Sequence, residues 1–227
     1  MAGTSISLDA AIDLTRTGDL WVFRGRSAAD RAIQMTTNSP VNHVGMAVVL
    51  DDLPPLMWHA ELGRSLRDMW AGKHQRGVQL HDLREAVLVW GRRYGQRAWL
   101  RQLATPVTRQ MEDAVLRTIA RLDGTPFPST AQLAGRWARG RVPTVRLRPS
   151  IGRRNEPAEV SPVAPSPALE TAYCAEVVAL TYEAMGLLPA GKRPNWYDPG
   201  RFWSGDQLEL TGDAELGDEI AVALPTP

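Results

Sequence analysis

Cys174 is the one cysteine of a 227-residue chain that also carries four histidines, His43, His59, His74 and His81. A single thiol excludes an intrachain disulfide and a cysteine-rich zinc site. Two roles remain for it: a small buried hydrophobe, or a nucleophile activated by a base. Tyr173-Cys174-Ala175-Glu176-Val177-Val178 opens a run of helical spacing that closes at Gly186. The sulfur therefore falls in a first helical turn, where unpaired backbone N–H groups and the positive end of the helix dipole stabilise a thiolate. Cys174, Val177, Val178, Thr181, Tyr182 and Met185 share one stripe, the face expected to pack on a sheet. Glu176 reads as a partner of the dipole, and Tyr173 as a candidate substrate contact.

A thiol of this kind needs a base. His43 begins the strongest strand pattern, running to Leu50, and period 2 puts His43, Gly45, Ala47 and Val49 on one face. The small Gly45 and Ala47 leave room there for the Cys174 helix to dock. Met57, His59 and Glu61 alternate onto one face of the next strand. From there His59 can accept the second ring N–H of His43 and fix its tautomer, as the third member of a catalytic triad does. Glu61 is the runner-up for that position. His74 and His81 flank a glycine-containing polar stretch and read as solvated. His43, His59 and Glu61 also admit a metal-hydrolase reading, but no His-Glu-x-x-His or comparable spacing supports it. Gly-x-Ser-x-Gly, phosphate-loop and dinucleotide motifs are absent.

Several elements must hold these groups in place. Leu8, Ala11, Ile12 and Thr15 predict a helix ending at Gly18, and Asp19–Phe23 a short buried strand. Ser27 with Asp30 predicts a helix to about Thr36. Strands are expected at His43–Leu50, at Leu56–Ala60 and at Ala86–Trp90. Thr108 caps a helix carrying Met111, Val115, Ile119 and Leu122, with a further helix around Thr130–Ala138. Residues 141–167, rich in Pro, Arg and Ser, predict a flexible loop or lid. After the Thr171–Met185 helix, the aromatic segment holding Trp196, Tyr197 and Phe202 offers a pocket wall for an apolar group. Two short strands are expected between Gln207 and Leu224.

Composition sets outer bounds. The chain suits one domain, and a net charge of +1 gives no global reason to bind nucleic acid. Hydrophobic residues make up 44% and charged residues 22%, ordinary for a globular protein. No stretch reaches the roughly 18 apolar residues of a membrane span, and the N-terminus lacks a basic start and an apolar signal core. A cytoplasmic location follows as the expectation. The arginines between Arg136 and Arg154 could touch anionic surfaces weakly.

Gly18-Asp19-Leu20, His43-Val44-Gly45-Met46, His59-Ala60 and Tyr173-Cys174-Ala175-Glu176-Val177-Val178, in that order, resemble the permuted NlpC/P60 papain-like superfamily. The branch resembled is the bacterial YiiX/YaeF-type group, related to lecithin–retinol acyltransferase-like proteins. The resemblance implies an α+β, circularly permuted papain-like fold, a mainly antiparallel sheet packed against the nucleophile-bearing helix, over residues 1–227. It implies Cys174 as nucleophile, His43 as base and His59 as polar orienter, with no cofactor and no metal. The implied activity is that of a cysteine hydrolase, peptidase, amidase or acyltransferase working through a thioester on a peptide, acyl-amino acid or lipid-like substrate. A catalytically inactive ligand-binding module of the same fold is the alternative.

Overall fold

The structure is a computed structural model that describes residues 5–25, 39–61, 65–126, 174–192, 196–206 and 208–225. The helices expected at 27–36 and 130–138, the loop at 141–167, the arginine-rich stretch and Tyr173 lie outside the described residues. Within them the chain is a mixed α+β structure. The strands are β1 (Ser5–Ser7), β2 (Leu20–Arg24), β3 (His43–Val48), β4 (Leu56–Glu61), β5 (Gly77–Asp82), β6 (Arg97–Arg101) and β7 (Ile220–Ala223). They form one seven-stranded sheet in the order β1-β7-β6-β2-β3-β4-β5, antiparallel except for the β1–β7 pair. The helices are α1 (Leu8–Leu14), α2 (Leu83–Tyr94), α3 (Arg109–Leu122) and α4 (Cys174–Ala184), followed by short 3-10 turns at Pro199–Phe202 and Ser204–Asp206. None is long and apolar enough to cross a membrane.

Both faces of the sheet are buried, and strand alternation divides the core in two. Leu20, Val22, Val44, Met46, Val48, Trp58, Ala60, Val78 and Leu80 face α3 and α4. Trp21, Phe23, Ala47, Met57, Ala98 and Leu100 face α1 and α2, meeting Leu8, Ala11, Val87 and Trp90. The expectation that α4 docks on the Gly45 and Ala47 face is therefore corrected. Val44, Met46 and Val48 offer more apolar area to bury than Gly45 and Ala47, and area decides helix docking. Gly45 instead admits the neighbouring strand. A Cβ placed there would lie 2.7 Å from Met57 Cγ and 3.3 Å from His59 Cβ.

Local signals account for most boundaries. Ser7 caps α1 through its hydroxyl, and Thr108 caps α3 by accepting from the Met111 N–H at 3.3 Å. Ala86–Trp90 is not a strand. Asp82 accepts the Glu85 N–H at 2.8 Å, and Gly95 ends the segment in the left-handed region at φ 62°, making it the interior of α2. The apolar run Val87-Leu88-Val89, with two β-branched valines, suggests a strand, but a capped first turn and a glycine terminus override that preference. Strands β1, β5 and β6 were not expected. In the tail only β7 forms as a strand, with Leu216 making an isolated bridge to Leu103.

The Gly18-Asp19 pair fixes the entry to β2. Gly18 takes φ 91° and gives its N–H to Ala47 O at 3.0 Å. The buried Asp19 carboxylate accepts the N–H groups of Arg16 and Leu103, each at 2.8 Å. The end of α1, the start of β2 and the exit of β6 are thereby tied together.

Candidate active site and histidine cluster

Three adjacent strands each contribute a histidine to the face covered by α2. His43 stands at the start of β3, His59 on β4 and His81 on β5. Across β4 and β5 the register pairs His59 with Gln79 and Met57 with His81. His43 Nε2 lies 3.1 Å from His59 Nδ1, and His59 Nε2 lies 3.0 Å from His81 Nδ1. The rings stand nearly edge-on to one another, and Trp90 of α2 packs 5.0 Å from both His43 and His59. Each imidazole thus fixes the proton position of the next.

Burial governs their charge. His59 is fully buried, and desolvation, then the neighbouring His81 and His43, lowers its pKa well below the ordinary histidine value. His81 is lowered to about 4, again chiefly by burial. Both rings are neutral at pH 7. Glu61, two residues beyond His59 on the same face, has its carboxyl raised to about 6 by burial, with Ser65 and Trp90 opposing the shift. Its Oε2 lies 3.8 Å from His81 Nδ1.

The expectation that His81 is solvated is corrected, because it lies inside the sheet at 1% exposure. The signal was available in Gly77-Val78-Gln79-Leu80-His81-Asp82, whose alternation matches that of β4, but its polar members hid a strand buried on both faces. His74 is exposed, as expected.

Cys174 begins α4 on the other face. The residue is 4% exposed, packed in the core that holds Val44, Val177 and Val178. Burial pushes the thiol up to about 12. The backbone N–H groups of Val44, Ala175 and Cys174 itself pull it down, and Glu176 pushes it further up. A resting thiolate at the helix start, expected from sequence, is therefore corrected: desolvation outweighs the helix terminus.

The N–H of Val44 belongs to the residue directly after His43. The β3–β4 ladder runs from Met46↔Trp58 to Val48↔Leu56 and ends before His43. The contact with the Val44 N–H places the sulfur near the start of β3. Trp58 holds α4 there by donating its indole N–H to Thr181 Oγ1 at 3.0 Å.

The expected pocket wall is mostly core. Tyr197 and Phe202 are fully buried, with ring centroids 6.1 Å apart, and Phe202 meets Tyr182 at 6.4 Å. Their role is to pin the segment after α4 onto the sheet. Large aromatic rings gain more from full burial than from lining an open cleft. Only Trp196 stays partly accessible, sandwiched by the cationic ends of Lys192 at 4.5 Å and Arg201 at 4.2 Å.

Comparison with solved structures shows a similarity of fold. A crystal structure of the metalloprotein yiiX from Escherichia coli O157:H7 aligns with 74% of this chain at 18% identity and a TM-score of 0.46. The alignment spans 64% of the length of that protein. No protein-family model and no curated protein matches the sequence.

Proposed function

We propose that the chain is a cysteine-dependent hydrolase or acyltransferase, with Cys174 as nucleophile, His43 as base and His59 as the residue that positions His43. The observation that carries this reading is the 3.1 Å contact between His43 Nε2 and His59 Nδ1. With Nε2 giving its proton to His59, His43 keeps Nδ1 as the basic nitrogen. The sulfur lies against the backbone N–H of the very next residue, Val44.

Because the resting group is a thiol, its proton leaves as attack occurs. The sulfur forms a bond to the acyl carbon while His43 Nδ1 takes the thiol proton. The imidazolium then protonates the leaving amine or alcohol as the acyl–heteroatom bond breaks. Water, or a second acceptor, cleaves the thioester by the same steps in reverse, returning the proton to sulfur. The N–H groups at the start of α4 are the available donors to the oxyanion. The substrate class is an amide or ester of a peptide, acyl-amino acid or lipid-like acyl group, with Trp196 as the accessible aromatic contact. Tyr173 is carried into the proposal from the sequence alone. The direct contact with His43 supports His59 for the third position, with Glu61 as the runner-up.

The test is covalent capture. Acyl-ester and acyl-amide probes should load one equivalent onto the parent, none onto Cys174→Ala, and at least about tenfold more slowly onto His43→Ala, the low end of a general-base contribution. Equal loading of the parent and Cys174→Ala would remove the cysteine from the chemistry.

A further inference from the structure

We propose that His59, Glu61 and His81 form a binding site for one divalent transition-metal ion of the zinc class. Each offers one ligand atom, and the three atoms lie within 4.8 Å of one another. The sheet produces this cluster directly. His59 and Glu61 are two apart on β4 and share a face, and His81 joins them from the neighbouring β5. Zinc bound at about 2.0–2.1 Å by two imidazoles in a tetrahedral site sets their nitrogens roughly 3.3 Å apart. His59 Nε2 and His81 Nδ1, at 3.0 Å, need to open by only a few tenths of an ångström.

The donor set suits such an ion. Two neutral imidazoles and one carboxylate favour zinc and its neighbours over calcium or magnesium, which prefer oxygen ligands throughout. Glu61 Oε2 is buried and makes no hydrogen bond among the described residues. A buried carboxylate oxygen supported only weakly, by the nearby Trp90 indole, is costly, and a cation would offset that cost. Outer contacts are already in place. His43 Nε2 meets the remaining ring nitrogen of His59, and the Ser65 hydroxyl donates to Glu61 Oε1 at 3.3 Å. Three protein ligands leave a fourth position, on the side of Glu61, whose side chain is 14% exposed.

The site also bears on the proposed hydrolase, in a way that rests on that reading. A metal on His59 Nε2 leaves the ring proton on Nδ1, which then donates to His43 Nε2. His43 must carry its own proton on Nδ1 and can no longer accept one from Cys174. Loading the site and activating the thiol are mutually exclusive.

The experiment uses the full chain, stripped with a chelator and titrated with Zn²⁺ and with Co²⁺. Saturable binding of one ion per chain is expected, with the strong visible absorption of four-coordinate Co²⁺. His81→Gln and Glu61→Gln should each weaken binding by at least about tenfold, while His74→Ala should not change it. Glu61→Gln keeps volume at a partly exposed position and serves if His81→Gln does not fold. No saturation below about 1 mM, or equal affinity in parent and both site variants, overturns the assignment. Zn²⁺ should also slow acyl-probe loading of Cys174, and equal loading of metal-bound and metal-free protein overturns the exclusivity. A chain that binds one ion at these residues yet never loads a probe refutes the hydrolase and leaves the metal site standing.

Discussion

Alkylation of Cys174 separates the two forces acting on its thiol. Burial holds it up to about 12, against a helix terminus that favours the anion. At pH 8 a group with that pKa is ionised at about one part in 10⁴, whereas an unfolded-chain cysteine near 8.5 is ionised at about one part in four. The deficit is about three orders of magnitude. A more basic thiolate is intrinsically more nucleophilic, and a Brønsted slope of about 0.4–0.5 returns roughly 25- to 60-fold. A net retardation of about 50- to 100-fold remains, before counting the steric cost of a residue that is 4% exposed. Iodoacetamide labelling followed by intact mass, in buffer and in urea, measures this ratio. The folded rate should climb tenfold per pH unit up to about pH 10 without a plateau. A folded chain that labels as fast as the unfolded one, or whose rate levels off near neutral pH, would mean a resting thiolate. It would refute the dominance of desolvation.

Two further perturbations test the scaffold. Gly77→Ala places a Cβ 1.9 Å from Thr125 O and 2.9 Å from Pro126 Cα, at a backbone φ of +105°. Since both obstacles are main chain, bonded to β5 through the Val78 N–H to Thr125 O contact at 2.8 Å, a loss of about 3 kcal/mol or more is expected in urea unfolding; unchanged stability would contradict it. Asp123→Asn acts in the opposite sense, because burial and then Asp68 raise the Asp123 carboxyl to about 6. Below its ordinary value of 3.8 the group is protonated in both folded and unfolded chains, and above about 6 the folded state must carry the unwelcome charge. The variant should gain about 1 kcal/mol at pH 8, after discounting for partial exposure, and nothing near pH 4. A gain of equal size at both pH values would rule out the electrostatic cause.

What could be read from sequence follows the strength of local signals. Helices α1 and α3, strands β2, β3 and β4, and the His43–His59 pairing all carry a cap, a clean alternation or a turn. The Thr108 cap and the Met111, Val115, Ile119 pattern place α3 almost to the residue. Strand β5 escaped because it buries Gln79 and His81, polar residues that read as solvent-facing until a neighbouring strand is known to satisfy one of them. With β5 missed, the third histidine was missed as well. The docking face of α4 was misjudged for a different reason. Small residues at Gly45 and Ala47 signal close approach, and close approach does occur, but from Met57 and His59 on β4 and not from a helix. Residue size reports that something comes near; it does not report what.

The two chemistries proposed for this chain meet at one residue. A buried sulfur lies against the backbone N–H of Val44 at the start of β3, and a line of three imidazoles runs from His43, the preceding residue, across β4 and β5 on the sheet's other face. His59 is common to both. One of its nitrogens can orient His43, and the other can hold an ion, and a neutral imidazole has a single ring proton to divide between them. In the proposed reading, without an ion that proton sits on Nε2 and bonds toward His81, leaving Nδ1 to accept from His43. The direction of one hydrogen-bond chain then decides whether the thiol has a base. If both proposals hold, the third histidine on β5 belongs to the site, since it would stabilise the proton arrangement the nucleophile requires and supply the second ligand of the arrangement that disables it.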